Sequence, residues 1–157
     1  MGNKSFLTAF DRANKVGQAP KTIVVTGMDF MACTSLAVKI EQRLYNDGRI
    51  VYYADLEDIK DRFPYQQESG RDYDIKRAGT AAGLVNEAGV IFITSIPGLG
   101  PIEETTLRAI NRKHTTIVVN TDKSGGYDES KDDIFDEALR KVQETFGHLN
   151  DVLDYYL

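Results

Sequence analysis

Cysteine occurs once in this 157-residue chain, at Cys33. A lone cysteine excludes an intramolecular disulfide and a zinc centre built from cysteine clusters, and it points to a reducing, cytoplasmic setting. No apolar run approaches the roughly 18 to 20 residues of a membrane span, and the N-terminus lacks the charged-then-apolar layout of a signal peptide. No long basic run is present and the formal net charge is -5, which disfavours nucleic acid as a partner. His114 and His148 have no partner at metal-ligand spacing, no Ser, His and Asp triad can be argued from spacing, and no internal repeat or low-complexity tract is visible. What remains is a chain with 41% hydrophobic and 27% charged residues, long enough for one domain with a full core.

Four nearly continuous apolar runs read as strands covered on both faces, near residues 21–26, 50–54, 90–95 and 115–120. Between them lie helical patterns. Leu36, Ile40 and Leu44 share a face in the first, and Ile75, Ala78, Ala82 and Val85 in the second. Residues 102–111 and 132–146 supply two more helices, the latter with Phe135, Ala138, Leu139, Val142 and Phe146 along one side. Gly48 and Gly89 stand just before strands, where a helix end accepts positive φ. Alternation of this kind predicts an open α/β fold with three layers: a doubly wound, mostly parallel sheet between helices. Residues 1–20 form an N-terminal segment with a short helix, its apolar positions Phe6, Leu7 and Phe10, and residues 21–157 form the α/β domain. The stretches 56–70 and 121–130 are expected to be irregular loops. The first leaves the carboxyl end of a strand, where such folds bind ligands.

The first strand runs into Gly27, Met28, Asp29, Phe30, Met31, Ala32, Cys33, Thr34 and Ser35, and then into an amphipathic helix. A phosphate loop needs this strand, loop and helix context and the pattern G-x-x-x-x-G-K-[ST]. Gly27 and Thr34 match it, Ala32 stands at the second glycine, and Cys33 stands at the lysine that would face the β and γ phosphates. A Cβ at residue 32 penalises positive φ, and a thiol supplies no cation. The helix start still has amides and a dipole to offer an anion such as phosphate or sulfate, so Gly27, Ala32, Cys33, Thr34 and Ser35 are the candidate phosphate-binding residues. A tight connection that binds nothing is the alternative.

From Lys21 to about Thr121, roughly two thirds of the chain, the order of motifs resembles the adenylylsulfate kinases, P-loop enzymes that phosphorylate the 3′-hydroxyl of adenylylsulfate with MgATP. The family's Gly-Leu-Ser-Gly-Ser-Gly-Lys-Ser-Thr loop corresponds to Gly27 through Ser35. Its Asp-Gly-Asp-Asn signature resembles Asp55, Leu56, Glu57 and Asp58, and its Asp-Arg-x-x-Asn-Ile-Arg-Arg is similar to the run from Gly70 to Arg77. The resemblance implies a P-loop NTPase fold of the nucleoside kinase-like type. It also implies that Asp55 and Glu57 handle magnesium and the attacking hydroxyl, with Thr34 and Asp55 as candidate magnesium ligands, and that Lys60, Arg71 and Asp74 grip adenylylsulfate. Departures are plain. Asp74 replaces an asparagine, the Ser-Pro-Tyr-Arg after the third strand is not reproduced, and the Lys-Gly-Leu-Tyr lid after the fourth is absent.

These losses resemble kinase-like domains joined to ATP sulfurylase that act in regulation or assembly. The expectation is a degenerate domain of sulfate activation that requires no cofactor and does not transfer phosphoryl groups. Any remaining ligand would be a small nucleotide or sulfonucleotide, ATP with magnesium included. A homo-oligomer or ATP sulfurylase is the expected macromolecular partner. Two alternatives stand beside it. One is an active kinase in which Lys39, Lys60 or Arg71 replaces the missing lysine. The other is a scaffold that binds no nucleotide and associates through the apolar stripes at Phe6, Leu7 and Phe10 and at Leu149, Val152, Leu153 and Tyr156.

Overall fold

Strands form where β-branched and aromatic residues run together between turn residues. The computed structural model describes residues 5–63, 70–122 and 133–144. In chain order it contains α1 (Ala9–Val16), β1 (Lys21–Thr26), α2 (Phe30–Asn46), β2 (Val51–Tyr53), α3 (Leu56–Asp61), α4 (Arg71–Glu87), β3 (Ile91–Ser95), α5 (Pro101–Ile110), β4 (Thr115–Asn120) and α6 (Asp133–Glu144). All four strands are parallel, in the order β2-β3-β1-β4. The expected strands are present within a residue or two of their bounds, and Gly48 and Gly89 have φ of 89° and 87° as their positions require.

Alternate residues of each strand supply two cores. Ile23, Val25, Ile91, Ile93, Ile117 and Val119 pack under α2 and α6, where Leu36, Ile40 and Leu44 meet Ala138, Leu139 and Val142. Val24 and Phe92 face the other way, onto Ile59, Ile75, Ala78, Ala82 and Leu107 of α3, α4 and α5. Each such large aliphatic side chain contributes about 1.5–3 kcal/mol on full burial. The three-layer, doubly wound reading is therefore correct.

Two expectations need adjustment, the irregularity of 56–70 and the helical span of the N-terminal stripe. The stretch 56–70 is not wholly irregular, because α3 opens it with a capping box. The Asp55 carboxylate accepts from the Asp58 amide at 2.8 Å, Asp58 returns the favour to the Asp55 amide at 3.1 Å, and Ile59 anchors the helix in the core. The stripe of Phe6, Leu7 and Phe10 is only partly helical, since α1 begins at Ala9. Phe6 and Leu7 precede α1 and lie exposed, whereas Phe10 is half-buried. α1 instead docks through Ala13 and the Arg12–Glu87 ion pair at 3.6 Å. Residues 123–130 and the stripe from Leu149 to Tyr156 lie outside the described residues. Among the described residues no helix is long and apolar enough to cross a membrane.

Candidate functional site

The β1 to β2 connection and the β3 to β4 connection leave the sheet in opposite directions, because β1 and β3 are central neighbours. Open α/β sheets bind ligands in the crevice at that switch point, beyond the carboxyl ends of the strands. Here the two loops meet directly: the Gly98 amide after β3 donates to the Gly27 carbonyl after β1 at 2.8 Å. Gly27 has φ of 152°, and a Cβ there would collide with the Thr121 hydroxyl at the end of β4. Only glycine lets the two chains approach this closely.

Helix α2 starts at Phe30, earlier than a loop from Gly27 through Ser35 requires. Its N-cap is Asp29, whose Oδ1 accepts from the Met31 and Ala32 amides at 2.9 and 3.2 Å. Asp122, beyond β4, accepts from the Met28 amide at 2.8 Å. Two carboxylates of the chain thus hold the amides that an anion would seek. Ala32, Cys33, Thr34 and Ser35 lie in the first turns of α2, so the strain expected at Ala32 does not arise, and among the described residues no non-glycine residue has positive φ. Cys33 is fully buried, with its thiol donating to the Gly27 carbonyl at 3.7 Å. Burial pushes the thiol's pKa up, and the charges of Asp122 and Asp29 add to the rise.

The Thr34 hydroxyl is buried without a hydrogen-bond partner of good geometry, as is that of Thr121. Near Thr34 stands the Tyr53 phenol, hydrogen-bonded to the Ser95 hydroxyl at 2.8 Å. Burial raises the phenol's pKa, Ser95 and Thr34 oppose that rise, and Asp55 and Asp58 reinforce it. The lone Thr34 hydroxyl suits a metal ligand, but Asp55 is committed to the α3 cap. Among the described residues no group of three or more His, Cys, Asp or Glu side chains is gathered to hold a metal. With the helix-start amides claimed by Asp29 and no cation between Gly27 and Ser35, the loop as folded does not fit the triphosphate of MgATP.

The remaining site residues border the same edge but are engaged differently. Glu57 and Lys60 are exposed on α3. Arg71, the first residue of α4, reaches the β3–α5 connection: its Nε donates to Glu103 at 2.9 Å, and its terminal nitrogen donates to the Pro97 carbonyl at 2.7 Å and to Glu103 at 3.3 Å. This brings Arg71 close to the Gly27 loop through Pro97 and Gly98. Its charge holds the Glu103 carboxyl below the usual range, helped by the Gly100 amide. Asp74 pairs with the buried Arg77 at 3.3 Å. No hydrogen bond or ion pair joins Arg71 to Asp55 or Glu57. Lys39 is the tenth residue of α2, well beyond its start. The motif comparison overlooked Asp29, Tyr53, Ser95, Glu103 and Asp122. Of these, only Asp29 carried a local signal, as an N-cap residue ahead of an amphipathic run.

Comparison with known proteins places residues 19–147 within the family model described as adenylylsulphate kinase. A bifunctional enzyme CysN/CysC of Rhodopirellula baltica is 30% identical over 95 residues, which cover 59% of this chain and 15% of that protein. Adenylyl-sulfate kinase 4, chloroplastic, of Arabidopsis thaliana is 27% identical over 107 residues, covering 66% of this chain and 34% of the relative. The chain thus spans well under half the length of either. Among solved structures, a mutant of the Mycobacterium tuberculosis APS kinase CysC superposes with a TM-score of 0.63 at 15% identity, covering 87% of this chain and 99% of that one. This last likeness concerns the fold alone.

Proposed function

The chain belongs to the adenylylsulphate kinase family, and we propose that within it this is a domain of sulfate activation that binds a nucleotide or sulfonucleotide weakly and regulates or assembles, without transferring a phosphoryl group. One observation carries the reading. The Asp29 carboxylate sits on the Met31 and Ala32 amides, so a phosphate arriving at α2 must displace an internal anion and meets no cation within residues 27–35. Phosphoryl transfer relies on positioning and on charge stabilisation around the γ-phosphate, so both losses bear on the transition state. The engagement of Arg71 by Glu103 and of Asp74 by Arg77 supports the same reading, because two of the three residues that would grip adenylylsulfate are already partnered, Lys60 alone standing exposed on α3. An ATP sulfurylase, or a second copy of the chain, is the partner this reading favours.

Calorimetric titration of ATP, ADP, adenylylsulfate and phosphoadenylylsulfate into the purified chain, alongside a coupled assay with magnesium, tests the proposal. A sulfonucleotide that binds without turnover supports it. Robust magnesium-dependent phosphorylation of adenylylsulfate overturns it in favour of an active kinase, and no binding of any of the four leaves only the assembly role.

A further inference from the structure

Under α3, on the face of the sheet opposite α2, lies a cavity of about 340 Å³. Its floor is a pair of stacked rings, Tyr52 of edge strand β2 and Phe92 of β3, with centroids 6.4 Å apart and planes at 18°. Ile59 and Phe63 wall it on one side, and Leu84 and Val85 of α4 on the other. Tyr52, Phe63 and Leu84 remain 44%, 36% and 71% exposed, so the cavity opens to solvent with its apolar lining uncovered. This volume falls at the lower end of the range for small-molecule sites.

The polar groups around the cavity are unequal. The Thr80 hydroxyl donates to the Lys76 carbonyl of its own helix at 3.0 Å, and the Asp58 carboxylate is held by the α3 cap. Arg62 is the one cation among the described lining residues, and its guanidinium makes no ion pair with any described residue. An aromatic floor, aliphatic walls and one guanidinium with no described ion-pair partner complement a flat apolar ring carrying a single negative charge. The walls offer little to the polar edge of a nucleobase. We propose that this cavity is a binding site for a small aromatic carboxylate, its ring on Tyr52 and Phe92 and its carboxylate at Arg62. The site is separate from Gly27 to Ser35 and does not depend on the kinase-derived reading.

The test uses 2-naphthoate as the probe, titrated into the ¹⁵N-labelled full chain and followed by amide shifts. Expected are saturable shifts at Tyr52, Phe63 and Leu84 below about 1 mM, with the uncharged 2-naphthol about tenfold weaker, as the loss of one charge-assisted hydrogen bond implies. Arg62→Gln should abolish that preference while leaving the spectrum dispersed, and Ala81→Phe should block both ligands by filling the cavity. If Ala81→Phe does not fold, the Arg62→Gln comparison decides alone. The proposal is overturned by the absence of saturable shifts, by equal binding of the two compounds to the unmodified chain, or by shifts centred on Gly27 to Ser35. Concentration-dependent broadening of the same amides without ligand would overturn it too, since the cavity would then be a subunit contact.

Discussion

At the amino end of the sheet the Asn86 side chain donates to the carbonyls of Lys21 and Val90 at 2.9 and 3.0 Å, and accepts from Thr22 and Asn111 at 2.8 and 2.9 Å. Gln18 there donates to the carbonyls of Ile50 and Gly89 and accepts from the Ile50 amide. At the carboxyl end, the buried hydroxyls of Thr34 and Thr121 find no partner of good geometry among the described residues, and Met28, Phe30 and Met31 stand exposed. A buried polar group without a partner costs about 1–3 kcal/mol, so the first end is built for stability while the second tolerates a cost. Proteins of this architecture keep such costs where ligands bind. The contrast teaches that the carboxyl edge stays open while Asp29 and Asp122 occupy the amides of the β1–α2 connection.

The sharpest way to break the contrast is at the stable end. Asn86→Leu should lower unfolding free energy by about 3 kcal/mol, because it takes the side-chain donor from the Lys21 and Val90 carbonyls and leaves the Asn111 amide only its longer bond to Thr22; urea denaturation measures this. Nucleotide titrations on the folded variant should be unchanged.

At the other end, Cys33→Lys alone should cost about 2 kcal/mol or more and leave ATP affinity unchanged, since residue 33 points into the core beneath α2. Joining it to Asp29→Gly and Ala32→Gly removes the cap and loosens the first turn. We expect ATP binding to tighten only in that triple variant, and calorimetry on the series reads the difference. Equal tightening in Ala32→Gly with Cys33→Lys, Asp29 intact, would show that the carboxylate is no obstacle.

Asp29→Ala by itself should cost about 1 kcal/mol, the usual loss for a helix N-cap. Sulfate, added as a probe, should recover part of that loss in thermal melts of the variant and do less for the unmodified chain. The smallest effect concerns Glu103. Its carboxyl is held below its ordinary value of 4.5 by Arg71 and by the Gly100 amide. A depressed carboxylate contributes stability above its unfolded pKa and loses it as pH falls through the folded value. Glu103→Gln should therefore cost about 0.5 kcal/mol at neutral pH, and the gap should close as pH falls below the ordinary carboxylate value and through the lower folded one. Paired urea titrations across pH 3 to 7 check this.

The sheet, its two-sided burial and the helices α2, α4, α5 and α6 were legible because period and composition are local properties. Leu36, Ile40 and Leu44 must share a face once the segment is helical, whatever packs on them. α3 was not legible: six residues carry too little periodicity, and its signal was the reciprocal cap of Asp55 and Asp58, residues that family resemblance had assigned to chemistry. Asp29 was passed over for a related reason. The phosphate-loop pattern leaves its position unspecified, and a cap residue looks the same in sequence whether its carboxylate turns onto the helix or out to solvent.

By itself, then, the sequence determined the α/β alternation, the residues available to the two cores, the missing lysine at Cys33 and the family resemblance. Only the tertiary structure decided that α2 begins at Phe30, that Asp122, 94 residues along the chain, takes the Met28 amide, and that Glu103 takes Arg71. Each of those pairings spends a side chain on a partner brought near by the β2-β3-β1-β4 order and by loops that meet at Gly27 and Gly98. Charge and hydrogen-bonding capacity are written residue by residue, but which capacity is already satisfied depends on distances between segments remote in sequence.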